Sequence, residues 1–110
     1  MDYRLKVWLE KDGQPVFGDG LLYLLTLIKQ YGSIRRAAEE MKMSYRQAWG
    51  SIKKAEGRLV VALLVKQVGG ESGGGAQLTL EAEKLICSYE EFRCEADEAV
   101  KKCFRKHFPK

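Results

Sequence analysis

One histidine, three cysteines and two prolines are spread through 110 residues, and these scarcities exclude several classes of protein. Cys87, Cys94 and Cys103 are too few, and wrongly spaced, for a disulfide framework or a zinc knuckle. With His107 alone near the C-terminus, a metal site has almost no ligands to draw on, so neither metal nor cofactor is expected. No apolar run approaches the ~18 to 20 residues that a membrane span needs. The opening "MDYRLKVWLE" has charges spaced through it and no signal-peptide core, so a cytoplasmic protein without membrane contact is expected. No nucleophile–base pair and no nucleotide loop stand out, which speaks against an enzyme.

What is present describes one folded domain. Hydrophobic residues make up 45% and charged residues 31% of the chain, a balance that supports a core rather than disorder. The net charge of +4 is modest, but its distribution is uneven. Between residues 29 and 58, eight basic side chains face only Glu39, Glu40 and Glu56. A local positive excess of this kind attracts polyanions, nucleic acid first among them, although a solvated face gives the same composition.

Periodicity then orders the elements. Residues 3–10, "YRLKVWLE", alternate apolar and polar and read as a strand; "KDG" is a turn, and "QPVFG" a short return strand. Asp19 is the expected N-cap of a helix through "GLLYLLTLIKQY", which Gly32 ends. Ser33 caps a second helix, with Ile34, Ala37, Ala38 and Met41 inward. Ser44 caps a third, with Tyr45, Ala48, Trp49 and Ile52 inward and Gly57 as its stop. "LVVALLVKQV" and "AQLTL" read as strands of a hairpin whose tip is "GGESGGGA". That tip lacks the lysine of a phosphate-binding loop and leads into a strand, so it is either a tip that touches a partner or a plain flexible turn. Thr79 caps a last helix running to about residue 106, with a near-heptad apolar stripe that outruns the body and asks for a second copy of the chain. Cys87 and Cys94, seven apart, are expected to be buried on one face.

Three short helices followed by a hairpin make the order of a winged helix-turn-helix. The fold class expected is mainly α with a small β component (α+β), with an N-terminal β-hairpin and a long C-terminal dimerisation helix. Residues 1–80 form the DNA-binding unit and residues 81–110 the helix, within one structural domain. In that geometry the third helix enters a major groove by its N-terminal part. Arg46 suits guanine and Gln47 adenine, whereas Lys53 and Lys54 suit phosphate. The full set expected at DNA is Ser33, Arg35, Arg36, Ser44, Tyr45, Arg46, Gln47, Lys53 and Lys54, with Gly73, Gly74 and Gly75 as wing backbone.

The stretches "GSIRRAAEEMKMSYRQAWGSI" and "GGESGGGAQLT" resemble the DNA-binding domain of ModE-type molybdate-responsive regulators, winged helices related to the LysR-type group. The matching residues are Gly32, Ser33, Ile34, Ala37 and Ala38; Ser44, Tyr45, Arg46, Ala48 and Trp49; and Gly74, Gly75, Ala76, Leu78 and Thr79. The resemblance implies a transcriptional regulator that binds double-stranded DNA through its second and third helices and the wing, as a homodimer held together by its first and last long helices. The interface residues expected are Leu21, Leu25, Leu85, Tyr89, Phe92, Ala96 and Val100. Because the chain ends at Lys110, molybdate binding is not expected of it, and no small-molecule effector is evident. Glu71, in the wing where relatives often carry a basic residue, leaves room for the alternative: the same fold as a protein-interaction adaptor without DNA binding.

Overall fold

A computed structural model describes residues 1–67 and 75–110. The chain opens with an antiparallel hairpin, β1 (Trp8–Lys11) and β2 (Gln14–Gly18), pairing Trp8 with Gly18 and Leu9 with Phe17. Its turn has positive φ at both Asp12 (53°) and Gly13 (77°), which matches the right-handed twist of the flanking strands. The strand is shorter than the alternation at residues 3–10 predicts. Residues 3–7 instead run as an arm along the last helix, where backbone carbonyls and an aromatic ring find partners.

Three helices follow: α1 (Asp19–Tyr31), α2 (Ile34–Glu40) and α3 (Tyr45–Leu59). The N-cap of α1 is Gly18, not Asp19, and glycine has no side chain to cap with; the Asp19 carboxylate, inside the first turn, accepts from the Tyr89 hydroxyl instead. Gly32 ends α1 in the left-handed region (φ 70°), donating its N–H to the Ile28 carbonyl. Ser33 and Ser44 cap α2 and α3 as expected, their hydroxyls accepting from the N–H of Arg36 and Gln47. Ala37, Ala38 and Ala48 are buried, and their small size lets α2 and α3 approach closely. Gly57 does not stop α3. The helix continues to Leu59, and Val60 takes the left-handed cap (φ 56°), a strained conformation for a β-branched residue.

A second hairpin, β3 (Leu64–Gln67) and β4 (Gly75–Leu78), pairs Leu64 with Leu78 and Lys66 with Ala76. The Ala76 N–H donates to the Gly32 carbonyl at 2.9 Å, fastening this wing to the turn between α1 and α2. Thr79 then caps α4 (Leu80–His107), a helix of 28 residues, and its hydroxyl also donates to the Ala62 carbonyl. The core gathers Phe17, Leu24, Leu25, Ile28, Ile34, Ile52, Leu63 and Tyr89, with the Phe17 and Tyr89 rings edge-on at 5.0 Å.

The longest dimension, 58 Å, comes with a helix of ~42 Å, and α4 does outrun the body. The overhang is partly clothed by the chain's own N-terminal arm. Tyr3 packs on Phe104 at 4.8 Å, Arg93 donates to the Leu5 carbonyl at 3.0 Å, and the Tyr89 hydroxyl lies 3.0 Å from the Val7 carbonyl. No helix among the described residues is long and apolar enough to cross a membrane.

Candidate nucleic-acid interface

The core face of α3 is Ala48, Ile52 and Ala55. By helical periodicity the opposite side carries Arg46, Gly50, Lys53 and Gly57, and the three of these other than Gly50 are exposed. Arg46 and Lys54 make no hydrogen bond, ion pair or ring contact with any described residue. Their charges therefore face solvent without a counter-ion, ready for an anion. Lys54 stands to one flank, beside an apolar cleft of about 510 Å³ between α3, β2 and α1, lined also by Arg58, Phe17 and Met41.

Gln47 is exposed, but it is not idle. Its side-chain oxygen accepts the Ser44 N–H at 3.1 Å, while its own N–H donates to the Ser44 hydroxyl at 3.0 Å. This reciprocal box satisfies two orphan donors at the start of α3. The carbonyl half of the amide is thus spent on the cap, and bidentate pairing with adenine would require the cap to open. The sequence signal for this was present in Ser-x-x-Gln just ahead of the helix.

The second departure concerns the aromatics. Tyr45 and Trp49 were expected on the inward face; they are 38% and 39% exposed. They lie at the edge of the buried stripe and hold cations instead. The Arg35 guanidinium stands 5.3 Å from the Tyr45 ring, and Lys53 and Lys66 reach the Trp49 ring at 5.6 and 6.0 Å. Arg36 turns back over Tyr31 of α1 at 4.6 Å. Lys66, on β3, was missed by sequence reasoning, since nothing local tells which strand residue will face α3.

Glu56 joins the helix to the wing. Its carboxylate accepts the N–H of Leu63 at 2.7 Å and of Leu64 at 3.2 Å, and pairs with Lys53 at 3.1 Å. Partial burial disfavours its charge, but the Leu63 N–H, Lys53 and the Leu64 N–H outweigh that and hold its carboxyl below the usual range.

Of the wing glycines, Gly75 begins β4, paired with Gln67. Gly73 and Gly74, like Glu71, lie outside the described residues. Among the interface residues expected for a dimer, Leu25 and Tyr89 belong to the monomer's own core, at 0% and 1% exposure. Leu21, Leu85, Ala96 and Val100 are half-buried, and Phe92 is exposed. The three cysteines are exposed rather than buried. Among the described residues no group of His, Cys, Asp and Glu could hold a metal ion.

Comparison with known proteins agrees with this arrangement. The family model for bacterial regulatory helix-turn-helix proteins of the lysR family matches residues 20–83. The chain is 33% identical over 92 residues to the molybdenum transport protein ModE of Azotobacter vinelandii, covering 84% of this chain and 34% of that protein. It is 35% identical over 78 residues to the DNA-binding transcriptional dual regulator ModE of Escherichia coli, covering 70% of this chain and 30% of that one. The chain thus spans about a third of the length of these curated relatives. Among solved structures, a mutant form of ZitR from Lactococcus lactis superposes with a TM-score of 0.55 at 17% identity, over 89% of this chain and 66% of that one, and so shares the fold.

Proposed function

Because this chain belongs to the lysR family of bacterial regulatory helix-turn-helix proteins, we infer that it binds duplex DNA and regulates transcription. The observation that carries the reading is Arg46. It stands exposed near the start of the second helix of the helix-turn-helix, without a partner among the described residues and beside a helix N-terminus already satisfied by its own cap. A guanidinium so placed is free to meet guanine edges, while Lys53, Lys54, Arg35 and Arg36 serve phosphates. The wing hairpin, fastened to α3 by Glu56, lies alongside.

We further infer a homodimer. Only Ala82 and Tyr89 of α4 are buried within the chain, and Leu85, Phe92 and Ala99 recur at seven-residue spacing on a side with Ala96 and Cys103. Such a stripe on a helix is covered in a two-stranded contact. The molybdenum in the name of the A. vinelandii relative remains a property of that protein.

The test is a fluorescence-anisotropy titration of labelled duplexes across salt concentrations. DNA binding predicts a steep fall in affinity with salt, from counter-ion release at each neutralised phosphate. Lys54→Ala should weaken all sequences alike and reduce the salt slope by about 1, whereas Arg46→Ala should cost about 1–3 kcal/mol on preferred duplexes and relax the preference. Affinity indifferent to salt, or absent, overturns the reading in favour of a protein-interaction module.

A further inference from the structure

Trp49 is the unexplained residue of the interface. An indole 39% exposed leaves much of a large apolar ring in water, on an element whose core face is complete without it. Around the helix it stands three residues, or about 60°, from Arg46, toward the wing. Lys53 from α3 and Lys66 from β3 both approach its ring, at 5.6 and 6.0 Å. Two ammonium groups that repel each other are gathered on one ring whose quadrupole attracts both. Lys53 has a counter-ion in Glu56, but Lys66 has no acidic partner among the described residues. The pair therefore keeps a net positive charge at the junction of helix and wing.

When a helix occupies a major groove and the hairpin after it reaches the neighbouring minor groove, one sugar–phosphate strand must pass between the two. In this fold the junction of α3 and β3, where Lys53 and Lys66 meet at the Trp49 ring, lies between those two elements. We propose that Trp49, Lys53 and Lys66 form a saddle for this DNA backbone: the two ammoniums take a phosphate, and the exposed part of the indole packs on the adjoining deoxyribose. This rests on the DNA-binding reading and deepens it, making Trp49 a backbone contact rather than a reader of bases. Glu56 is the positioning residue, holding Lys53 by its carboxylate and the start of the wing by the Leu63 and Leu64 N–H groups.

The chain has two tryptophans, and Trp8 is an exposed residue of the first hairpin, so Trp8→Phe leaves Trp49 as the sole indole emitter. This variant is titrated with labelled duplexes of several sequences, following anisotropy of the label together with Trp49 emission and its quenching by iodide. The expected result is a blue shift and at least a halving of iodide quenching on binding, the same for every duplex. In the otherwise native chain, Trp49→Phe and Trp49→Ala should progressively weaken all duplexes, the alanine by roughly fivefold, the low end for an aromatic contact with nucleic acid. Lys66→Gln should lower the salt slope by about 1. Thermal melts of each variant check that it is folded; Trp49→Phe keeps an aromatic body should the alanine fail. Salt-dependent binding with unchanged iodide access overturns the saddle and leaves DNA binding standing. A loss confined to particular sequences overturns the backbone assignment. Absence of any duplex binding overturns the parent reading itself.

Discussion

Gly50 lies in the middle of α3, where a glycine is worth ~0.8–1 kcal/mol less than alanine. A Cβ built at this position meets nothing within 4 Å, so no intramolecular contact forbids a side chain. In the free protein Gly50→Ala is therefore expected to stabilise the fold by ~0.8–1 kcal/mol, a rise in Tm of about 4 °C for a domain this size. Bound to DNA the sign reverses. If the outward side of α3 presses on the floor and wall of a groove, an added methyl overpacks that contact at ~1–3 kcal/mol, and affinity falls about 5- to 150-fold. Gly57 supplies the internal control. It lies two turns and ~10.5 Å further along the same side, with equally open space around its Cβ, but away from the N-terminal half that enters the groove. Gly57→Ala should gain similar stability and keep its affinity. Melts followed by circular dichroism and anisotropy titrations of all three proteins decide the matter. A Gly50→Ala protein that melts lower refutes the open helix surface; one that melts higher but binds as tightly as Gly57→Ala refutes the groove contact.

Two further expectations concern the frame that holds the interface. Ser44→Ala removes the hydroxyl side of the α3 capping box and should cost ~1 kcal/mol in urea unfolding, with Gln47→Ala costing less because the Ser44 hydroxyl still caps the helix. The Tyr89 hydroxyl lies 2.6 Å from Asp19; burial first, and then that carboxylate, push its pKa up to about 12. In the unfolded chain it titrates near ~10. Between these values the folded state holds the proton that the unfolded state has released, so raising the pH favours unfolding. The stabilisation is thus whole below ~10 and lost as the pH rises through about 12. Tyr89→Phe should melt lower than the native protein at neutral pH, with the gap narrowing between pH ~10 and ~12; a constant gap across that window refutes the linkage.

Much of the fold was legible because its signals are local. Ser33, Ser44 and Thr79 each announced a helix start, Gly32 announced an end, and the alternation of "AQL" marked the wing strand. The misreadings arose where a local signal had a distant competitor. Tyr3 to Val7 alternate like a strand, yet α4 offers Phe104, Arg93 and Tyr89 as partners, and the segment becomes an arm. Asp19 is well suited to cap α1, but Tyr89 and Arg93, far along the chain, claim its carboxylate. Gly57 could have ended α3, but continuation to Leu59 lets the helix run on past Glu56, whose carboxylate holds Leu63 and Leu64.

The candidate site divides along the same line. Residue order was enough to dictate that α3 begins at a serine cap, buries Ala48 and Ile52, and turns Arg46 outward, because helical periodicity and capping act within about four residues. It took the assembled fold to leave Trp49 half in water between two lysines and to draw Leu25 and Tyr89 into the core. Those outcomes depend on which remote segment arrives at each flank, and exposure at the edge of a helix stripe is set by that neighbour, not by the helix itself.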